Sequence, residues 1–148
     1  MDAVDKKILN IIQKDFPVVA APFKAVANKL RLTEDEVLKR IKDLKDEGII
    51  RRIGAVFDSK KMGFASTLCA AKVPKDNLKK FVDVVNSFPG VTHNYRRKHD
   101  YNVWFTFIAP DEETLKKSLS EIRDKTGVTD IISMTAAKTF KIDATFEL

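Results

Sequence analysis

The spacing of apolar positions divides the chain into two differently patterned parts. In "DAVDKKILNIIQKDF", Val4, Ile8, Leu9, Ile11 and Ile12 recur at helical intervals, and Pro17 disfavours a helical Phe16, so one helix ends there. Pro22 opens "PFKAVANKL" as a short second helix. Thr33 stands at the cap of a third, "EDEVLKRIKDLKDEG", whose apolar stripe is Val37, Leu38, Ile41 and Leu44 and whose stop is Gly48. Next, "IIRRIGAVFDSKKMGF" reads as two short strands around a turn. Three helices and a β-ribbon predict a winged helix-turn-helix over residues 1–62.

From Ala65 the period changes. "ASTLCAAKV" reads as a strand, "KDNLKKFVDVVNSF" as an amphipathic helix, "GVTHNYRRK" and "YNVWFTFIA" as two strands, and "DEETLKKSLSEIRDKT" as a helix. A β-rich segment is expected from about Asp130 to the end. The order βαββαβ predicts a ferredoxin-like domain over residues 63–148, an antiparallel sheet with both helices on one face. The chain is therefore expected to be α+β, and the uncovered sheet face calls for a partner subunit.

Composition narrows the function classes. The 148 residues are 44% hydrophobic and 32% charged, enough for a buried core. No apolar run approaches the ~20 residues of a membrane helix, and "MDAVDKKILN" lacks the order of a signal peptide, so a cytoplasmic protein that does not enter membranes is expected. The single cysteine, Cys69, excludes a disulfide and a thiolate metal cluster. Net charge is +6, but residues 1–48 carry ten Lys/Arg against nine Asp/Glu, while residues 49–148 carry seventeen against twelve. The basic excess lies outside the DNA-reading helices. The third helix opens on Glu34, Asp35 and Glu36, which would meet phosphates with like charge, so DNA binding is not expected despite Arg51, Arg52, Lys60 and Lys61 in the ribbon.

Chemistry concentrates instead in "VTHNYRRKHDYNVWF", Val91 to Phe105. On a strand, His93, Tyr95 and Arg97 share one face and Asn94 and Arg96 the other; on its neighbour, Tyr101, Val103, Phe105 and Phe107 oppose Asn102, Trp104 and Thr106. His99 lies in the turn near Lys98 to Asp100. Taken singly, each of these residues has an ordinary explanation as packing or solvated edge. Together they suit a planar, polyanionic ligand. Two histidines cannot close a zinc site, although one could donate axially to an iron held in a macrocycle. No phosphate loop, dinucleotide fingerprint or nucleophile elbow is present.

The two-part plan resembles the Lrp/AsnC regulators, and "HNY", the arginine after it and "HDYNVWFTF" resemble the signature of their enzymatic relatives, the siroheme decarboxylases. The resemblance spans nearly the whole chain. It implies a carbon–carbon lyase of haem biosynthesis that removes two acetate carboxyl groups of siroheme as CO2, giving 12,18-didecarboxysiroheme, with no cofactor beyond the iron of the siroheme substrate. It implies a homologous second subunit, as a heterodimer or else a homodimer. Catalytic roles fall on His93, Tyr95 and His99, with Tyr101 a further candidate proton donor and His93 a candidate axial contact to the substrate iron. Substrate binding falls on Arg96, Arg97, Lys98, Tyr101, Asn102 and Trp104. The rival readings are a DNA-binding regulator and a non-catalytic haem-binding sensor of the same fold.

Overall fold

A computed structural model describes all 148 residues, which form two compact units, Met1–Ala55 with Lys141–Leu148, and Val56–Phe140. By contacts the division falls at Ala55/Val56, and the last eight residues group with the first unit.

The first unit holds three helices, α1 (Ala3–Lys14), α2 (Pro22–Leu30) and α3 (Glu34–Asp46). Asp2 caps α1 in a reciprocal box with Asp5, Pro22 begins α2, and the Thr33 hydroxyl accepts the Glu36 amide at the start of α3. Arg31, at φ 57°, turns the chain sharply between α2 and α3. Ile8, Leu9, Val26, Ala27, Val37, Ile41, Leu44 and Ile50 make the core. Leu38, expected in that stripe, is exposed instead. Arg40 of α3 reaches Asp2 and Asp5 at 2.8 Å each and Glu36 at 3.2 Å, tying α3 to the start of α1. That guanidinium holds the Asp2 carboxyl down at about 2.

The predicted wing is absent: residues 49–64 contain no strand, and Asp58 to Phe64 are turns closed by the Met62 and Phe64 amides on Asp58 and Ser59 carbonyls. A ribbon needs a partner for its apolar face, and Val56 and Phe57 stand in solvent here. The β-rich C-terminus is likewise reduced to one short strand. In the tail, the Gln13 side chain donates to the Phe146 carbonyl (2.6 Å) and accepts its amide (2.9 Å), standing in for a neighbouring strand.

The second unit is the ferredoxin-like βαββαβ: β1 (Ala65–Ala71), α4 (Leu78–Asn86), β2 (Val91–Arg96), β3 (Val103–Ala109), α5 (Glu112–Thr126) and β4 (Ile131–Met134). The sheet is antiparallel throughout in the order β2-β3-β1-β4. Alternation along β1 and β3 sends Cys69, Ala71, Val103, Phe105, Phe107 and Ala109 to one face, against Phe81 and Val85 of α4 and Leu115, Leu119 and Ile122 of α5. Phe81 meets Phe105, and Phe88 meets Phe107, edge to face. Burial pushes the Cys69 thiol up to about 11, so it behaves as a small apolar side chain. Gly90 is required where the chain enters β2. Its carbonyl accepts the Ile108 amide at 2.8 Å, and a Cβ there would collide with the Ile108 carbonyl oxygen.

The other face of the sheet has no covering element. It carries Leu68 of β1, Trp104, Thr106 and Ile108 of β3, and Ile132 and Met134 of β4, all half-buried or exposed.

Candidate active site

Register decides which residues of the β2–β3 hairpin reach the open face. His93 pairs with Thr106 and Tyr95 with Trp104, so all four lie there. Asn94 pairs with the buried Phe105 and Arg96 with the buried Val103, so both lie on the helix side. The Asn94 amide confirms this by donating to Asn86 of α4 at 2.9 Å. The alternation expected from sequence holds along β3 and from His93 onward on β2, and it separates Arg96 from Arg97: a ligand on the open face meets the second and not the first.

The hairpin closes where the Arg97 amide donates to the Asn102 carbonyl at 2.8 Å. The Arg97 guanidinium then lies over the Trp104 ring, 5.9 Å from its centroid. The Trp104 indole N–H donates to the Tyr101 carbonyl at 2.7 Å, which fixes the ring. The His93 imidazole stacks on Tyr95 with centroids 6.1 Å apart and 29° between planes. Its Nδ1 lies 3.1 Å from the Thr92 hydroxyl and 3.3 Å from that of Thr106. The result is a strip of rings with a guanidinium at one end, and Tyr95 is 51% exposed within it. Towards β1 and β4 the face turns apolar through Leu68, Ile132 and Met134.

His99 occupies the turn. Its Nδ1 accepts the Tyr101 amide at 3.1 Å, so the neutral ring carries its proton on Nε2, and it stacks on Tyr101 at 6.4 Å. The Tyr101 hydroxyl donates to Asp130 at 3.0 Å, and that carboxylate holds the phenol above its ordinary range. Tyr101 is therefore a poor proton donor and a turn-fixing residue. Asn102 is committed as well. Its amide donates to the Val73 carbonyl (2.8 Å) and accepts the Val73 amide (2.9 Å), so it pins the hairpin to the end of β1 and has little left for a ligand. Lys98 is exposed at the turn, and none of Arg96, Arg97 and Lys98 has a carboxylate within ion-pair distance.

Several contributors are not apparent from the sequence. Nothing in residue type singles out Thr92 and Thr106 beside His93, and the apolar half of the face depends on where β4 begins and ends. Leu68 alone is open to detection, since it alternates with Cys69 in a strand whose other side is small. Asp130 is remote in sequence from the tyrosine it controls.

This chain is similar over its full length to siroheme decarboxylases and, more distantly, to an AsnC family regulator. The family of AsnC-like ligand binding domains matches residues 61–141, and the family of siroheme decarboxylase NirDL-like HTH domains matches residues 5–51. The siroheme decarboxylase alpha subunit of Desulfovibrio desulfuricans is 50% identical over 148 residues, all of this chain and 85% of that one. The crystal structure of the siroheme decarboxylase NirDL superposes with a TM-score of 0.73 at 37% identity, over 97% of this chain and 47% of that one. NirDL in co-complex with an iron-uroporphyrin III analogue gives 0.70 over 93% of this chain and 47% of that one. This chain thus spans about half the length of NirDL. The AsnC family transcriptional regulator from Agrobacterium tumefaciens, 27% identical, superposes at 0.78 over 99% of this chain and 96% of that one.

Proposed function

This chain belongs to the siroheme decarboxylase family, and from that membership we propose that it removes two acetate carboxyl groups of siroheme as CO2, giving 12,18-didecarboxysiroheme. The observation that carries the reading is the open face of the sheet. A guanidinium lies over an indole beside a stacked imidazole and phenol, next to an apolar floor. A flat macrocycle edged with carboxylates is complementary to that surface in shape and charge. The helix that would read DNA suits phosphate poorly, because α3 opens on three acids and its Arg40 is already shared among Asp2, Asp5 and Glu36.

Each residue then has a task. Trp104 and Tyr95 present ring surface to the macrocycle, and Arg97 grips a peripheral carboxylate, fixing which acetate is presented for reaction. Lys98 adds positive potential at the turn. When the bond between the acetate methylene and its carboxylate breaks, CO2 leaves and the electron pair stays with the methylene carbon, spread into the macrocycle. A proton added to that carbon completes the methyl group. His93 is assigned that proton transfer, or an axial contact to the substrate iron, because its Nδ1 is held by hydroxyls and Nε2 is its unengaged nitrogen. His99, with its proton on Nε2, donates to a carboxylate at the mouth of the site. No cofactor beyond the substrate iron enters this scheme.

A homologous second subunit covers the open face in this reading and completes the pocket. The chain has no helix long and apolar enough to cross a membrane, in keeping with action in the cytoplasm on a water-soluble tetrapyrrole. The test is anaerobic incubation of siroheme with this chain, alone and with its homologous second subunit, followed by mass spectrometry. Products lighter by one and then two CO2 units are expected. Siroheme recovered unchanged in both incubations would overturn the assignment.

A further inference from the structure

The β2–β3 pairing is irregular at one point only, between Val91 and His93, where Thr92 is an extra residue opposite Thr106. In an unbroken strand Thr92 would fall on the face opposite His93. The bulge brings it round instead, and its hydroxyl lies 2.7 Å from that of Thr106 and 3.1 Å from His93 Nδ1. Thr106, directly across from His93 in the register, completes a triangle at 3.3 Å from the same nitrogen. Two hydroxyls converging on one imidazole nitrogen at the only irregularity of the sheet call for a role.

We propose that Thr92 and Thr106 are positioning residues for the decarboxylation, gripping Nδ1 of His93 so that Nε2 is kept in place for the substrate. The proposal rests on the assignment of His93 to the reaction. A hydroxyl can donate to a bare Nδ1 or accept from a protonated one. For Nε2 to give its proton to the substrate carbon and leave a neutral ring, Nδ1 must carry hydrogen throughout, and a hydroxyl accepts from it both before the transfer and after. His99 shows the alternative: its Nδ1 accepts a backbone N–H, which cannot reverse direction. The two histidines of the chain are thus wired differently, and only His93 has a partner able to follow a protonation cycle.

The test uses the full chain labelled with 15N at histidine, together with turnover of siroheme in the presence of the second subunit. Thr106→Val is expected to displace the His93 Nδ1 resonance and to lower kcat by about tenfold with little change in KM, as for residues that orient a reacting imidazole. Thr106→Ser, which keeps the hydroxyl, is expected to restore both the resonance and kcat, which a loss caused by misfolding would not predict. A His93 spectrum in Thr106→Val identical to that of the unaltered chain would overturn the proposal. The spectrum is read without turnover, so the two layers part cleanly. Full activity in His93→Ala removes His93 from the chemistry, whereas an inactive His93→Ala beside an unmoved spectrum in Thr106→Val overturns the threonine assignment alone.

Discussion

The two faces of the sheet follow the same alternating code and put it to opposite uses. On the helix side, Phe105, Phe107 and Val103 are almost wholly buried, and their partners are other apolar groups of the same chain. On the open side, Trp104 and Thr106 stand one residue away in sequence with Tyr95 and His93 across from them on β2, yet their bonds run to one another, to backbone and into solvent. One face stores the stability that allows the other to hold ionisable groups in fixed positions. The difference predicts that damage to the first is read in unfolding and damage to the second in catalysis.

The sharpest way to break that division is to truncate neighbouring ring residues on opposite faces. Phe105→Ala leaves a cavity between β3 and Phe81 and is expected to cost about 3–5 kcal/mol of stability, measured by denaturant unfolding. Trp104→Ala removes a half-exposed ring and should cost much less stability while weakening siroheme binding in a spectral titration. If Trp104→Ala proved as destabilising as Phe105→Ala, the open face would belong to the core and not to a site. A smaller disturbance of the covered face comes from Gly90→Ala. The added methyl must displace the β3 backbone at Ile108, an overpacking expected to cost about 1–3 kcal/mol in the same unfolding assay.

The adjacent arginines sharpen the comparison further. Arg97 lies over Trp104 on the open side, and Arg96 pairs with Val103 on the other. A lost charge-assisted hydrogen bond is worth about 1.5–3 kcal/mol, so Arg97→Ala is expected to raise KM for siroheme roughly 10- to 100-fold. Arg96→Ala should leave KM almost unchanged. Equal effects would mean that the ligand wraps round the β2 edge and does not lie flat on the open face.

Much of this division is legible in the amino-acid pattern alone. The helix bounds follow from Pro22, Thr33 and Gly48, and the hairpin faces follow from strict alternation in "NVWFTFIA". What fails are the two strand assignments outside the sheet. "RIGAVF" and "FKIDATFEL" carry the period of strands, yet periodicity reports only which side chains would share a face, and this chain supplies no strand to pair with them. Asn102 and Tyr101 suit ligand binding by residue type. Their actual commitments, to Val73 and Asp130, each span 29 residues of sequence and depend on where the sheet closes. The bulge at Thr92 is a register effect that no local pattern announces.

The smallest expected effect tests the comparison at its finest grain. The chain has two tyrosines, Tyr95 on the open face and Tyr101 tied to Asp130 at the foot of the hairpin. Tyr95→Phe leaves Tyr101 as the only phenol, so tyrosinate absorbance then reports that group alone. Donation to Asp130 favours the protonated phenol, so ionisation should begin at higher pH than for a free tyrosine. The linkage has a fixed sign. A phenol whose folded pKa is raised adds stability that is full below the unfolded value, about 10, and is lost as pH climbs through the folded one. Asp130→Asn removes the charge and should bring the titration back towards the free value, while alkaline unfolding loses its dependence on Tyr101. Because the phenol stays protonated across the neutral range, Asp130→Asn in the otherwise unaltered chain should change siroheme turnover at neutral pH only slightly. A large loss there would return Tyr101 to the reacting groups and move the working site from the open face towards the turn.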